Sequence, residues 1–219
     1  MWPLTSVVNN RKIQNLWSDE CQVCGTKLPV EVDVSLEATY ALRMENPIQR
    51  LLLISGPVGV GKSTIANELS TLLEADEVPH TFIDLDALAY TFPRNAADPF
   101  GDGLALENLK SIWANCQRRG SKNLIVPRVV ETESYPERVA EMVAIPDPIV
   151  CRLTASDQSL LERVRMREKG SNLSWHEKRS LELSAALEDA NVNDFCVATD
   201  GRSITEIATE IMLEIDWSR

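Results

Sequence analysis

Residues 50–64 read Arg50-Leu-Leu-Leu-Ile-Ser-Gly56-Pro-Val-Gly59-Val-Gly61-Lys62-Ser63-Thr64. An apolar run this short, closed by glycines, predicts a buried strand over 50–55. The stretch 56–63 then matches G-x-x-x-x-G-K-[ST], a phosphate-binding loop. Ile65, Leu69, Leu72 and Leu73 follow at helical spacing, so the loop is flanked by a strand before and a helix after. Gly56 and Gly61 allow backbone angles that a Cβ would block. Their amides, with those of Pro57, Val58, Gly59, Val60, Ser63 and Thr64 where an N–H exists, can form a nest for phosphate oxygens at the positive end of a helix. Lys62 can reach the β- and γ-phosphates of ATP, and the Ser63 hydroxyl is placed to ligate Mg²⁺. ATP and Mg²⁺ are therefore the expected cofactors. The plainer alternative is a glycine-rich turn with a surface lysine.

From this loop onward the pattern alternates. HTFID (80–84), NLIVP (123–127), PIVCRL (148–153) and DFCVAT (194–199) read as further strands. Helices are expected over 104–119, ending at Gly120, and from Asp157 to about Lys169. Three more are expected to open at Ser134, Ser174 and Ser203, each with Glu three residues later. This order predicts an α/β P-loop fold: a five-stranded, mostly parallel sheet with helices on both faces. Residues 1–46 break the rhythm and read as an N-terminal extension of unknown role, leaving 47–219 as the domain. The extension holds Trp2, Trp17 and Cys21-x-x-Cys24, half of a zinc ribbon or two ordinary cysteines in a turn. Cys116, Cys151 and Cys196 read as small buried hydrophobes.

The chain has 219 residues, 44% apolar, 25% charged, with a formal net charge of −11. That charge argues against nucleic acid or an anionic membrane as the main partner. No apolar run is long enough to span a bilayer, and the first residues lack the pattern of a signal peptide, so a cytoplasmic location is expected. Composition and spacing leave the oligomeric state open.

GPVGVGKST after LLLIS, with IDLD at the end of the second strand, resembles the small P-loop kinases. That group includes adenylylsulfate, gluconate and shikimate kinases, chloramphenicol phosphotransferase and zeta-toxin-type kinases. The resemblance covers about residues 50–215 and singles out no member. It implies a phosphotransferase moving the γ-phosphate of ATP to a hydroxyl, or an equivalent acceptor, of a small molecule. In the group an acidic residue after the second strand faces the γ-phosphate and the acceptor; the matching positions are Asp84 and Asp86. Spaced i, i+2, they would point to one side of a strand. Asp86 is read as the base that takes the acceptor proton, and Asp84 as the metal-side residue. The alternative is that Asp86 merely caps the helix beginning DALAY.

Arg128 ends the strand NLIVP, where many P-loop proteins carry an aspartate. It could bind an anionic acceptor group, or form an ion pair with Glu131 or Glu133. The resemblance also implies lid arginines, Arg163 and Arg167, that neutralise charge during transfer. The alternative is a solvated basic face paired with Glu162 and Glu168. Asp200, Gly201 and Arg202 are placed near adenine, or in an ordinary glycine turn. Arg94, Asp98, Phe100 and Asp102 lie in the loop after the second strand, where acceptor pockets form. Phe100 and Trp113 read either as substrate-stacking rings or as core. His80 and His176 have no ligand spacing. Two other functions remain: a nucleotide-dependent switch or ATPase, and a nucleotide kinase. The second would need more than the one clear helix expected between 87 and 122.

Overall fold

The computed structural model describes residues 49–217. The expected extension over 1–46, with Cys21, Cys24, Trp2 and Trp17, and its boundary at Pro47 lie outside the described residues.

Five strands form one sheet: β1 (Arg50–Ser55), β2 (His80–Phe82), β3 (Asn123–Pro127), β4 (Ile149–Thr154) and β5 (Phe195–Ala198). Their order is β2-β3-β1-β4-β5, and every pairing is parallel. The helices are α1 (Lys62–Ala75), α2 (Leu85–Leu88), α3 (Asp102–Gln117), α4 (Ser134–Val143), α5 (Asp157–Arg167), α6 (Leu173–Ala190) and α7 (Ile204–Ile215).

A central parallel strand is covered on both faces, so it carries an unbroken apolar run. Leu51 to Ile54 of β1 are each fully buried. Alternation divides them. Leu51 and Leu53 join Leu124, Val126 and Val150 under α3 and α4, around Leu109, Trp113 and Val139. Leu52 and Ile54 join Ile125, Cys151 and Leu153 under α1 and α7, around Ile65, Leu69 and Ile211. The chain leaves β1 toward β2 and β3 on one side and later returns to β4 on the other. The crevice at such a reversal, outside the carboxyl ends of the strands, is where open α/β sheets bind ligands. The loop at 56–61 stands there.

Several local expectations change. β2 ends at Phe82, and Asp84 serves as N-cap of α2, its Oδ1 accepting from the Asp86 amide at 3.0 Å. Asp86 is therefore not the cap. Ser134 and Ser174 are not caps either: α4 starts from Glu133 and α6 from Asn172, neither with a side-chain cap. Only the Ser203–Glu206 pair forms the full reciprocal capping box. Trp113 is core, whereas Phe100 is largely exposed. Cys151 is buried as expected, Cys116 is half-buried and Cys196 is exposed, since β5 is an edge strand whose alternate residues face solvent. His80 is held between the Ser70 hydroxyl and the Val78 carbonyl, both at 2.7 Å, a structural role.

Truncation of Leu53 to Ala should leave an unfilled hole at the centre of the sheet, costing about 2–5 kcal/mol. Urea unfolding should show a lower midpoint with an unchanged slope. A loss below about 1 kcal/mol would mean that the core around β1 is loosely packed.

Candidate functional site

The phosphate loop is wedged in place. Gly56 has φ +142° and Gly59 has φ +88°. A Cβ on Gly56 would lie 2.7 Å from the Leu153 carbonyl oxygen, and one on Gly59 would lie 2.8 Å from Cγ2 of Val164 and 3.1 Å from the Leu160 carbonyl. The loop thus lies directly on β4 and α5, with no room for side chains at these two positions. Two side chains hold it from the far side. The Ser180 hydroxyl of α6, itself buried, donates to the Val58 carbonyl at 2.6 Å, and Arg163 of α5 donates to the Val60 carbonyl at 3.3 Å. Gly61 is the N-cap of α1 and supplies no side-chain cap, which leaves first-turn N–H groups open toward the crevice.

Lys62 folds back on this loop. Its Nζ donates to the carbonyls of Gly56 at 2.9 Å and Pro57 at 3.1 Å. Burial lowers its pKa to about 8; Asp86 and Asp84 work against that shift, while Arg167 and Arg128 add to it. All four charges are therefore close enough to be felt at one amine.

On the other side of Lys62 runs a chain of polar contacts. The Ser63 hydroxyl donates to Oδ2 of Asp84 at 2.6 Å. Oδ1 of Asp84 holds the Asp86 amide. The Asp86 carboxylate pairs with one end of the Arg128 guanidinium, and Asp102 pairs with the other end. Arg128 does not meet Glu131 or Glu133; Glu131 pairs with Arg179 at 2.7 Å. The Arg128 side chain is only 11% exposed. Burial works against its charge, but Tyr135, Asp86 and Asp102 more than offset this and keep its pKa above the ordinary value. Asp84 and Asp86 do converge on the loop mouth. The cause is a helix cap and first turn rather than strand alternation.

Ser63 and Asp84 offer two hard oxygen ligands at hydrogen-bond separation. Among the described residues no group of three or more His, Cys, Asp or Glu side chains could hold a metal ion. Two protein oxygens, with phosphates and water completing the shell, is the way Mg²⁺ is commonly held, so this donor set fits that ion and no protein cage.

Two hollows open from the loop. One, of about 1020 Å³, lies beyond Asp86 and is lined by Arg94, Asp102, Arg128, Tyr135 and Arg179 among others. Asp98, expected in this wall, has a structural task as well: both its carboxylate oxygens accept amides at the start of α3, from Asp102 at 2.8 Å and Gly103 at 2.9 Å. The second hollow, of about 350 Å³, lies between Gly59–Ile65 and the turn after β5, and Arg163, Arg167, Thr199 and Arg202 line it.

Arg163 and Arg167 do not act as a matched pair. Arg163 is tied to Thr199, donating to its Oγ1 at 2.8 Å and its carbonyl at 3.2 Å, and it does not pair with Glu162. Arg167 is more exposed, bonds Glu168 at 2.9 Å and is felt at Lys62. Arg165 pairs with Glu177. Asp200 accepts from the Ser156 amide at 2.7 Å, and Arg202 pairs with Glu210 at 2.5 Å, so both have structural partners at this edge. Ser180, Thr199 and Arg179, together with Arg138, which also lines the larger hollow, were not anticipated. A signal existed for Ser180: it shares the buried stripe of α6 with Leu183 and Leu187, where a lone hydroxyl needs a partner.

The sequence profile described as an AAA domain matches residues 52–185, more than half of the chain. No curated protein matches the chain in sequence. Among solved structures, a gluconokinase from Sinorhizobium meliloti 1021 is 21% identical with a TM-score of 0.53, covering 77% of this chain and 93% of its own. A tunicamycin resistance protein from Deinococcus radiodurans is 19% identical with a TM-score of 0.52, covering 76% and 95%. A shikimate kinase from Bacteroides thetaiotaomicron is 14% identical with a TM-score of 0.50, covering 76% and 98%. At these identities the likeness is one of fold: the fold is that of the small P-loop kinases, with no single member distinguished. Among the described residues no helix is long and apolar enough to cross a membrane.

Two outcomes follow from this geometry. In competitive acylation across a pH series, Lys62 should titrate with a midpoint of about 8 in the free protein; an ordinary lysine midpoint near ~10.4 would contradict the burial assigned to it. Gly59→Ala should destabilise the protein by about 1–3 kcal/mol, through strain at positive φ and the clash with Val164. A neutral Gly59→Ala would show that the loop can lift off α5.

Proposed function

We propose that this chain, which belongs to the AAA domain family, is an ATP-dependent phosphotransferase that moves the γ-phosphate of ATP to a hydroxyl of a small molecule. The observation that carries the reading is the unbroken line from Ser63 through Asp84 to Asp86. It joins the phosphate loop to the 1020 Å³ cleft, so that a carboxylate stands between the two. A nucleotide switch would need no such cleft at the γ-phosphate end.

The residues divide as follows. Amides over 56–64 and the open N-terminus of α1 cradle the β- and γ-phosphates. Lys62 exchanges its two loop carbonyls for phosphate oxygens and spreads the charge that builds up in transfer. Ser63 and Asp84 would hold Mg²⁺, which when bound supplies charge neutralisation at the β- and γ-oxygens. Asp86 accepts the proton of the acceptor hydroxyl. That oxygen bonds to the γ-phosphorus as the bond to the β-phosphate oxygen breaks, and ADP leaves. Arg128 keeps the Asp86 carboxylate aimed, a positioning task rather than contact with the reacting atoms. Arg167 supports the transferring group from the lid side, while Arg163 holds the loop and borders the base pocket. ATP and a small-molecule acceptor are the partners.

Asp86→Asn should bind Mg²⁺·ATP much as the parent does but lose transfer by about 10²–10⁴-fold, measured as ADP release with acceptor present. Undiminished transfer would remove Asp86 from the mechanism. The pH dependence has a definite sign. Bound phosphates favour the ammonium form of Lys62, so its pKa rises on binding. ATP affinity should be flat with respect to Lys62 below pH 8 and fall above it, by up to about tenfold per pH unit, with proton uptake seen by calorimetry in two buffers. Affinity that is level through pH 9 would contradict the role given to this amine.

A further inference from the structure

The cleft beyond Asp86 has a wall chemistry of its own. Its volume of about 1020 Å³ matches the upper end of pockets that enclose drug-sized ligands, roughly 300–1,000 Å³. A compact polyol would leave most of it to water.

Three large rings stand on this cleft, each from a different element. Tyr90, in the segment after α2, is 88% exposed; Phe100, just before α3, is 62% exposed; Trp175, in the first turn of α6, is 54% exposed. Exposed apolar side chains scattered singly need no explanation, but several gathered on one concavity mark a binding surface. Rings stack on flat π-faced ligands and tolerate many of them, because stacking demands a face rather than a hydrogen-bond pattern. A polyol has several hydroxyls that lose water on entering, and phenylalanine and the faces of the other two rings return no hydrogen bonds. Charged side chains share the wall with the rings: Arg94, Arg138 and Arg179 also line the cleft. Asp86, Arg128 and Asp102 form one ion-paired row. The cleft thus offers ring faces together with charged groups, and its ion-paired row is joined through Asp84 to the phosphate loop.

We infer that the acceptor is a hydroxylated aromatic or heteroaromatic compound of about nucleoside size. Its ring packs among Tyr90, Phe100 and Trp175, and its hydroxyl reaches inward to Asp86. This rests on the phosphotransferase reading above. The ion-paired row gives the reacting hydroxyl its orientation, and the rings give the rest of the molecule its affinity.

The test uses the full chain loaded with Mg²⁺ and a non-hydrolysable ATP analogue, titrated calorimetrically with two sets of compounds. The aromatic set is uridine, thymidine, pyridoxine and tyrosol; the first two separate a nucleoside preference from a general aromatic one. The compact set is gluconate, glycerol and shikimate. The expected result is binding by at least one aromatic compound, weakened about tenfold or more in Trp175→Ala and restored to within about threefold in Trp175→Phe. Phe100→Ala provides a second reading should Trp175→Ala fail to fold, and analogue binding in each sample reports folding. Binding confined to the compact set, binding by neither set, or an aromatic ligand indifferent to both ring substitutions would overturn the inference. Failure of the parent protein to bind the ATP analogue at all would instead sink the phosphotransferase reading.

Discussion

The absence of a Cβ at Gly56 and Gly59 is the constraint on which the rest depends. At both positions the backbone lies closer to its neighbours than any side chain permits: Leu153 of β4 at one, Val164 and Leu160 of α5 at the other. The loop is therefore packed directly against β4 and α5, and its amides are held by tertiary contacts. Preorganisation of this kind leaves little ordering cost at the moment of binding. Ser180 extends the same logic. Its hydroxyl joins the loop to α6, the helix that also brings Trp175 and Arg179 to the other cleft. The phosphate loop and the wall of the larger cleft thus share one helix as support.

A second constraint is electrostatic. Lys62 is half-buried among Arg128, Arg167, Asp84 and Asp86, and desolvation draws its amine down to about 8. Arg128 occupies the strand end where a metal-side carboxylate was the more familiar expectation. It gathers Asp86 and Asp102 instead, so the acidic groups available to a divalent ion come from the segment after β2. Charge beside the loop is thus supplied by a row of paired groups. Such a row is stiff, because each ionised member holds the next in place.

Much of this was readable in the residues. The loop and the five strands follow from short apolar runs and their punctuation, since a fully buried strand leaves no polar position to blur the signal. The Ser203 cap was equally plain, because its glutamate partner lies three residues away and nothing else competes for it. The failures share a cause. Ser134 and Ser174 carry the same local signal, but the chain enters those helices earlier, and the hydroxyls fall inside the first turn. Asp84 and Asp86 do lie beside the loop, but through a helix cap and first turn rather than strand alternation. Where a strand ends and a cap begins depends on pairing with β3, which no local pattern encodes. Arg128 meeting Asp102 across 26 positions, and Ser180 meeting Val58 across 122, are likewise tertiary facts. Cys196 was misread because an edge strand and a central one look alike until the sheet order is known.

The central claim is that the amides over 56–64 hold the phosphates of ATP. Hydrogen exchange of the full chain, with and without Mg²⁺·ATP, tests it most directly. Peptides covering 56–64 should gain the strongest protection, with a smaller gain around Arg163 and Thr199. Protection located elsewhere, with exchange over 56–64 unchanged at saturating nucleotide, would contradict it.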